Sequence, residues 1–210
     1  MKKILVALLA LLLMVFLVGC NDDTIDDNGN TDNSISDDWT DMEFIMGEEK
    51  YTYPYSFLAF EAKGWVLEGD SYTLEAGKGW FNLLINDNFY DEELKDYATV
   101  LVVFKNETDE VQNVLDCKIK SVSLYKFDFN NGYEIELAKG IKWGNTEEEI
   151  VAAYGTPDTK EVYEFDDGSG LKITTLRYVY ETDNMTITMV LDIENERGFS
   201  KVEFWHETIE

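Results

Sequence analysis

From Met42 onward, short apolar runs alternate with clusters of Gly, Asn and Asp, and this pattern constrains the fold more than any other feature of the chain. Runs in which apolar and polar residues alternate, such as residues 133–137, are typical of strands with one buried face. Gly and Asn clusters such as residues 130–132 are typical of the tight turns of β-hairpins. The pattern therefore predicts an antiparallel sheet built from many short strands.

Two segments break the strand pattern and predict short helices. In the first, Ser56 is placed to cap a helix that Gly64 ends. In the second, Thr146 and Glu149 fit a capping box, in which each of the two side chains accepts a hydrogen bond from the other residue's backbone N–H. Gly155 then ends this helix. Several predicted strands follow each helix, so the order of elements is the same in both halves.

We therefore predict an α+β fold, with an antiparallel sheet and two short helices on one of its faces, in a globular domain over residues 42–210. The repeated order of elements predicts two related helix-plus-strands units, residues 42–129 and residues 130–210. The second face of such a sheet is free to contact solvent or a partner.

The arrangement of residues 144–205, a helix followed by Gly155, Pro157 and then strands, resembles the small bacterial lipoproteins of the SmpA/OmlA type. The two successive helix-plus-strands units together resemble the β-lactamase inhibitory protein fold. The whole chain is similar to uncharacterised surface lipoproteins of Gram-positive bacteria. These resemblances imply an α+β fold with a saddle-like sheet and protein binding as the commonest role. They imply no function for any single residue.

The N-terminus has the layout of a secretory signal. Lys2 and Lys3 precede an apolar run over residues 4–18, which is shorter than the roughly 20 residues of a membrane-spanning helix. Residues 17–20, Leu-Val-Gly-Cys, resemble the lipobox of bacterial lipoproteins. That resemblance implies that residues 1–19 are a signal peptide and that Cys20 becomes the lipidated N-terminus. The alternatives are a plain signal peptide or a short membrane anchor.

Residues 20–41 are acidic, polar and without apolar periodicity, so we predict a lipidated, disordered tether there. A calcium-binding loop is the alternative, but the spacing around Gly29 does not match an EF-hand. Lipid and tether together predict a protein held on the extracytoplasmic face of the cell membrane, at a Gram-positive surface rather than in a Gram-negative periplasm. The membrane is then a partner only through the Cys20 lipid.

The charge balance excludes nucleic acid as a partner. The chain has 17 Lys and Arg against 43 Asp and Glu, which gives a net charge of −26. Binding to nucleic acid depends on neutralising phosphates with Lys and Arg, and this composition opposes it. Cationic partners, divalent ions or simple solubility through self-repulsion remain open.

Residues suited to catalysis are few. With Cys20 lipidated, Cys117 has no partner, and its strand-like setting predicts a buried side chain. His206 is the single histidine, so the chain lacks the several His or Cys ligands of a zinc site. A Cys117–His206 pair is the only possible Cys–His arrangement of nucleophile and base. The loop over residues 166–170 is predicted as a turn rather than a calcium site. We predict no enzyme activity, no cofactor and no metal.

Aromatic residues are the better candidates for function, because Trp and Tyr commonly anchor interfaces. We predict a binding surface formed by Trp143, Tyr178, Tyr180 and Trp205; the alternative is that packing between the two units buries these side chains. The predicted function is non-catalytic binding of a protein or another envelope component. The alternatives are a scaffold for envelope assembly and maintenance, and a hydrolase or ligand-capturing lipoprotein.

Overall fold

A computed structural model describes residues 34–127, 131–166, 172–182, 187–195 and 197–206, and the protein is mostly β. The described residues contain fourteen strands: β1 Phe44–Met46, β2 Glu49–Tyr51, β3 Val66–Leu67, β4 Thr73–Leu74, β5 Gly79–Asp91, β6 Asp96–Lys105, β7 Gln112–Asn113, β8 Lys118–Tyr125, β9 Ile135–Leu137, β10 Ile141–Lys142, β11 Thr159–Asp166, β12 Lys172–Glu181, β13 Ile187–Glu194 and β14 Gly198–His206.

The strands form three sheets. The large sheet has eight strands in the order β11-β12-β13-β14-β8-β6-β5-β3, and every neighbouring pair in it is antiparallel. The small sheet has four strands in the order β10-β9-β1-β2. Strands β4 and β7 pair separately.

The described residues include two α-helices, α1 (Phe57–Glu61) and α2 (Glu147–Tyr154), and three short 3₁₀ turns. The predicted caps are present. The Ser56 side chain accepts a hydrogen bond from the Ala59 N–H, and Thr146 and Glu149 form a reciprocal capping box. No helix in the described part of the chain is long and apolar enough to cross a membrane.

The core lies between the large sheet and a layer formed by the small sheet and the two helices. Along β6, alternate residues from Ala98 to Phe104 are fully buried on the inner face of the large sheet. Phe44 of β1 stacks on Phe204 of β14, with ring centroids 6.1 Å apart. Phe60 of α1 and Ile150 of α2 belong to the same buried cluster. Both helices and the small sheet therefore cover one face of the large sheet.

The predicted α+β fold of two related helix-plus-strands units is wrong. The protein is mostly β, and its two helices are short. The small sheet combines strands from both predicted units, because Phe44 of β1 pairs with Leu137 of β9. A boundary at residues 129 and 130 therefore passes through this sheet and its core. Pairing between strands that are far apart in the sequence leaves no local sequence signal. The repeated order of elements therefore did not reveal that β1 pairs with β9.

Two features shape the hairpin of β5 and β6. Strand β5 is irregular at residues 86–88, with a shift in register between Ile85 and Tyr90. Residues 92–95 form the turn between β5 and β6. The Asp91 carboxylate accepts hydrogen bonds from the backbone N–H groups of Glu93 and Leu94, which closes this turn.

The compact unit in the structure begins at Ser34, before the predicted boundary at Met42. Residues 39–41 form a 3₁₀ turn capped by Asp38, and the Trp39 ring lies 6.3 Å from that of Tyr180. Residues 1–33 lie outside the described part of the chain, so the signal peptide, the Cys20 lipid and most of the tether stay predictions. The loop predicted over residues 166–170 is described only at Asp166, where β11 ends.

Phe44 links the two sheets, so its truncation tests this architecture. We expect Phe44→Ala to lower the free energy of unfolding by about 3–5 kcal/mol, because it removes a fully buried ring and leaves a cavity. Leu58→Ala is the matched control, since Leu58 is 69% exposed on α1. Urea denaturation measures both. Equal effects of the two substitutions would show that the sheets do not share a core.

Candidate functional site: the open face of the large sheet

The large sheet has a second face that the helices and the small sheet do not cover. We call this the open face. On β6 it comprises the residues that alternate with the buried ones, and these are partly exposed while their neighbours are fully buried. Cross-strand pairing then assigns the open-face positions on each neighbouring strand, because directly paired residues lie on the same side of a sheet.

Two adjacent rows of mainly uncharged side chains cross the open face. The first row runs from β5 to β13 and contains Phe81, Val103, Ser121, Trp205 and Thr188. The second runs from β5 to β12 and contains Leu83, Leu101, Ser123, Glu203, Val190 and Val179. Together they form an apolar strip across six strands.

The centre of the strip is occupied by Ser121 and Ser123 of β8. Both serines are almost fully buried although they point to the open face, so the larger side chains around them shield them from solvent. In the first row Ser121 pairs with Val103 on one side and with Trp205 on the other. Phe81, which is 60% exposed, lies beyond Val103 on β5, so the two aromatic rings of the strip are on separate strands.

A third row consists of alternating charges, which we call the charge ladder: Lys201, Asp192, Arg177 and Glu161. Arg177 and Asp192 form a two-pronged ion pair with N–O distances of 2.8 and 2.9 Å. This hydrogen bonding to Asp192 raises the pKa of Arg177. Lys201 pairs with Glu203 of the second row at 3.1 Å. Three of the four ladder residues are therefore in ion pairs within the face, and the Glu161 carboxylate accepts a hydrogen bond from the Tyr163 hydroxyl.

The aromatic rings of the open face also contact its cations. The guanidinium of Arg177 lies 5.1 Å from the ring centroid of Tyr163, and the ammonium of Lys201 lies 5.4 Å from that of Tyr125. Such contacts hold long charged side chains flat against the sheet. The open face therefore presents aromatic and aliphatic surface with few free charges, although the whole chain is strongly acidic.

At the Trp205 end of the strip lies an open depression of about 1000 Å³, which we call the end pocket. Trp205 and His206 line it from β14, and Glu107 and Lys120 line it from the neighbouring segments. Glu107 bridges Lys120 and Lys118, and its hydrogen bonds to these lysines lower its pKa to about 2. Burial, together with the Lys120 charge, lowers the pKa of His206.

The structure does not bring the four predicted binding residues onto one surface. Tyr178 and Tyr180 are 2% and 3% exposed on the inner face, where α2 covers them. The Tyr178 hydroxyl donates to the Glu147 carboxylate, and the Tyr180 hydroxyl donates to the Gly155 carbonyl at 3.1 Å. Burial is the first cause of the raised pKa of both phenols. These two tyrosines attach α2 to the sheet.

Trp143 and Trp205 have different surroundings. Trp143 is partly buried: its ring centroid lies 5.0 Å from that of Phe199, and its indole N–H donates to the Tyr133 carbonyl at 2.9 Å. It therefore packs against the core cluster. Trp205 alone of the four lies on the open face, opposite Ser121 and Thr188.

The chemistry of the Cys117–His206 pair is unfavourable in this fold. Cys117 is buried, its thiol donates to the Asn113 carbonyl at 3.3 Å, and burial raises its pKa. A raised pKa disfavours the thiolate that a nucleophile requires. The His206 ring stacks instead on Tyr53, with centroids 4.5 Å apart. Among the described residues, no group of three or more His, Cys, Asp or Glu side chains is placed to hold a metal ion.

Sequence reasoning missed most of the open face. Phe81, Leu101 and Val103 were read only as parts of strands. In β6, Leu101 and Val103 point to one face and the buried residues point to the other. Residues 99–104 are almost all apolar, so the sequence shows no alternation of polar and apolar residues that would distinguish the two faces. The charge ladder joins residues of four different strands, so no sequence spacing reveals it.

Comparison of the chain with protein-family models, with curated proteins and with solved structures found no match. The function is therefore argued from the geometry of the open face.

The lysine bridge at Glu107 should make stability depend on pH. Because the folded pKa of Glu107 is lowered, its contribution is fully present above about pH 5 and is lost as the pH falls toward 2. We expect Glu107→Gln to lower the free energy of unfolding by about 1 kcal/mol at pH 7, a discounted value because Lys118 is largely exposed.

Urea denaturation at pH 7, 4 and 2.5 measures this difference. It should shrink at the lowest pH as Glu107 becomes protonated in the unsubstituted chain. Glu93→Gln, in the exposed turn between β5 and β6, is the control. A difference that stays constant down to pH 2.5 would contradict the bridge.

Proposed function

We propose that the chain is a non-catalytic binding module, held by the Cys20 lipid on the extracytoplasmic face of the cell membrane, whose open face binds another protein. One observation supports this most: the large sheet leaves a mainly uncharged strip, which carries Phe81 and Trp205, uncovered by the described residues, in a chain of net charge −26. Uncovered apolar surface of this kind is uncommon on monomeric proteins and is typical of interaction sites.

The composition of the open face favours a protein partner. Interface centres are typically depleted in free charges and enriched in aromatic residues and Arg. The open face has these properties, since Arg177 and Lys201 are paired with Asp192 and Glu203, while Phe81 and Trp205 lie on the adjacent strip. The partner we propose therefore offers an apolar, largely neutral surface to the strip.

The strong acidity of the chain is consistent with a role in selectivity. A net charge of −26 speeds the approach of cationic partners and repels acidic ones. In this proposal the apolar strip supplies affinity, and the net charge supplies discrimination.

Affinity capture from envelope extract with the immobilised full chain tests this function. We expect at least one protein to be retained and then lost with Trp205→Ala and with Phe81→Ala, because each removes an aromatic side chain of the strip. Calorimetry with that purified protein should give a Kd raised about tenfold or more for either variant, as for interface anchors elsewhere.

Leu58→Ala and Phe165→Ala are the controls for this experiment. Leu58 is an exposed apolar residue on α1, away from the open face, and Phe165 is equally exposed on β11, beyond the strip. Both should leave the Kd within about twofold. Equal loss of binding with Leu58→Ala, or retention by both strip variants, would place the interface elsewhere.

The anchor makes a separate prediction. The chain has two cysteines, so Cys20→Ala should abolish lipid attachment and release the protein from the membrane fraction, while Cys117→Ala should not. Metabolic labelling with a radioactive fatty acid and cell fractionation measure both. Labelling of Cys20→Ala would contradict the lipoprotein assignment but would leave the open-face proposal untouched.

A further inference from the structure

Lysines collect around the end pocket, although the chain as a whole is strongly acidic. Lys105 at the end of β6 and Lys120 of β8 line this pocket, and Lys118 lies beside them at the start of β8. Glu107 and Asp109 line it too, so three lysines face two carboxylates and one positive charge is in excess. The chain as a whole has 17 Lys and Arg against 43 Asp and Glu, so this local balance has the opposite sign.

Two of these lysines are paired directly across the sheet. Lys105 of β6 pairs with Lys118 of β8, and like charges in this position are destabilising. The Glu107 carboxylate bridges Lys118, at 2.6 Å, and Lys120, so it compensates those two ammonium groups. The Lys105 ammonium instead donates to the Gly77 carbonyl at 2.7 Å. In the described part of the chain, no carboxylate lies within ion-pair distance of Lys105.

A β-bulge places Lys120 at the same pocket. Val103 of β6 pairs with Ser121 of β8. The next residue, Phe104, pairs with Ile119, so Lys120 is an extra residue inserted into β8. Bulges redirect side chains and are common beside functional sites. The Lys120 side chain is only 9% exposed, and a buried charge costs free energy. Such departures from ordinary packing are expected at functional sites.

The end pocket has room for a ligand beside these lysines, since its volume is about 1000 Å³. Gly79 of β5 pairs with Lys105 and lines the pocket. A Cβ at this position would lie 3.0 Å from the Phe104 carbonyl oxygen and 3.5 Å from the Lys105 side chain. Trp205 and Val103 add apolar lining. Small-molecule sites typically combine apolar lining with a few polar groups in this way.

We propose that the end pocket binds an oxyanion, a phosphate or carboxylate group carried on a small organic molecule. The oxyanion accepts hydrogen bonds from Lys105 and Lys118, which relieves the repulsion between these two ammonium groups. The body of the molecule packs against Trp205. Remote carboxylates are screened over about 8 Å at physiological ionic strength, so the nearby lysines set the local potential. This site does not depend on the protein partner proposed for the open face, although Trp205 belongs to both.

Titration of the full chain in detergent with phenyl phosphate, benzoate and benzyl alcohol tests this site, with binding followed by ligand-observed NMR. We expect saturable binding of at least one anion, and the tighter anion identifies the group that the pocket recognises. Lys105→Gln should raise the Kd of that anion about five- to tenfold, because it removes a charged donor. Lys105→Arg keeps the charge and should retain most of the affinity. Absence of saturable binding by both anions would overturn the proposal.

Lys142→Gln is the matched control, since it changes the net charge equally but lies on β10 of the small sheet, outside the pocket. It should leave the Kd unchanged, and circular dichroism checks that each variant is folded. Equal Kd values for Lys105→Gln and Lys142→Gln, or equal binding of benzyl alcohol and the anions, would refute the site.

Glu207 and Glu210 follow β14 in the sequence, and their substitution provides a further test. The double variant Glu207→Gln/Glu210→Gln should bind the anion about as the unsubstituted chain does. If the anions bind only to this double variant, carboxylates of the chain itself occupy the pocket, and the proposed ligand is wrong.

Discussion

In the part of the chain that the structure describes, only one face of the large sheet is covered, and the rest of the architecture depends on this. The small sheet and both helices pack on the inner face, where Phe44 stacks on Phe204 and where Tyr178 and Tyr180 bond to α2 and its cap. Because side chains alternate across each strand, this single-sided packing assigns every second residue of eight strands to the core and the others to the open face. Core and candidate site are therefore two sides of the same strands.

Charge is distributed unevenly over this architecture. The chain carries a net charge of −26, yet the open face holds its ionic groups in pairs, such as Arg177 with Asp192. Exposed ion pairs contribute little to stability, so their value here is in removing free charge from the surface beside Phe81 and Trp205. The strip beside these pairs contains one charged residue, Glu203, and it is paired with Lys201.

Local sequence patterns predicted where helices and strands form, but they did not predict which strands pair or which helix covers them. The capping box of Thr146 and Glu149 identified α2, as the structure shows. The partner of each strand was not predictable, since β1 pairs with β9, which lies far from it in the sequence. The burial of Tyr178 was missed for the same reason, because tertiary packing brings its cover, α2, over it. Of the four residues predicted to form a binding surface, Trp205 alone lies on the open face.

The most direct test of the central claim is hydroxyl-radical footprinting of the open face on intact cells. The modification of Trp205 and Phe81 is compared with that of Leu58, once on cells and once on the purified chain. If the open face binds a protein in the envelope, Trp205 and Phe81 should be modified several-fold less on cells, while Leu58 should be unchanged. Equal modification of all three residues in both settings would show that the open face is unoccupied, and would contradict the account.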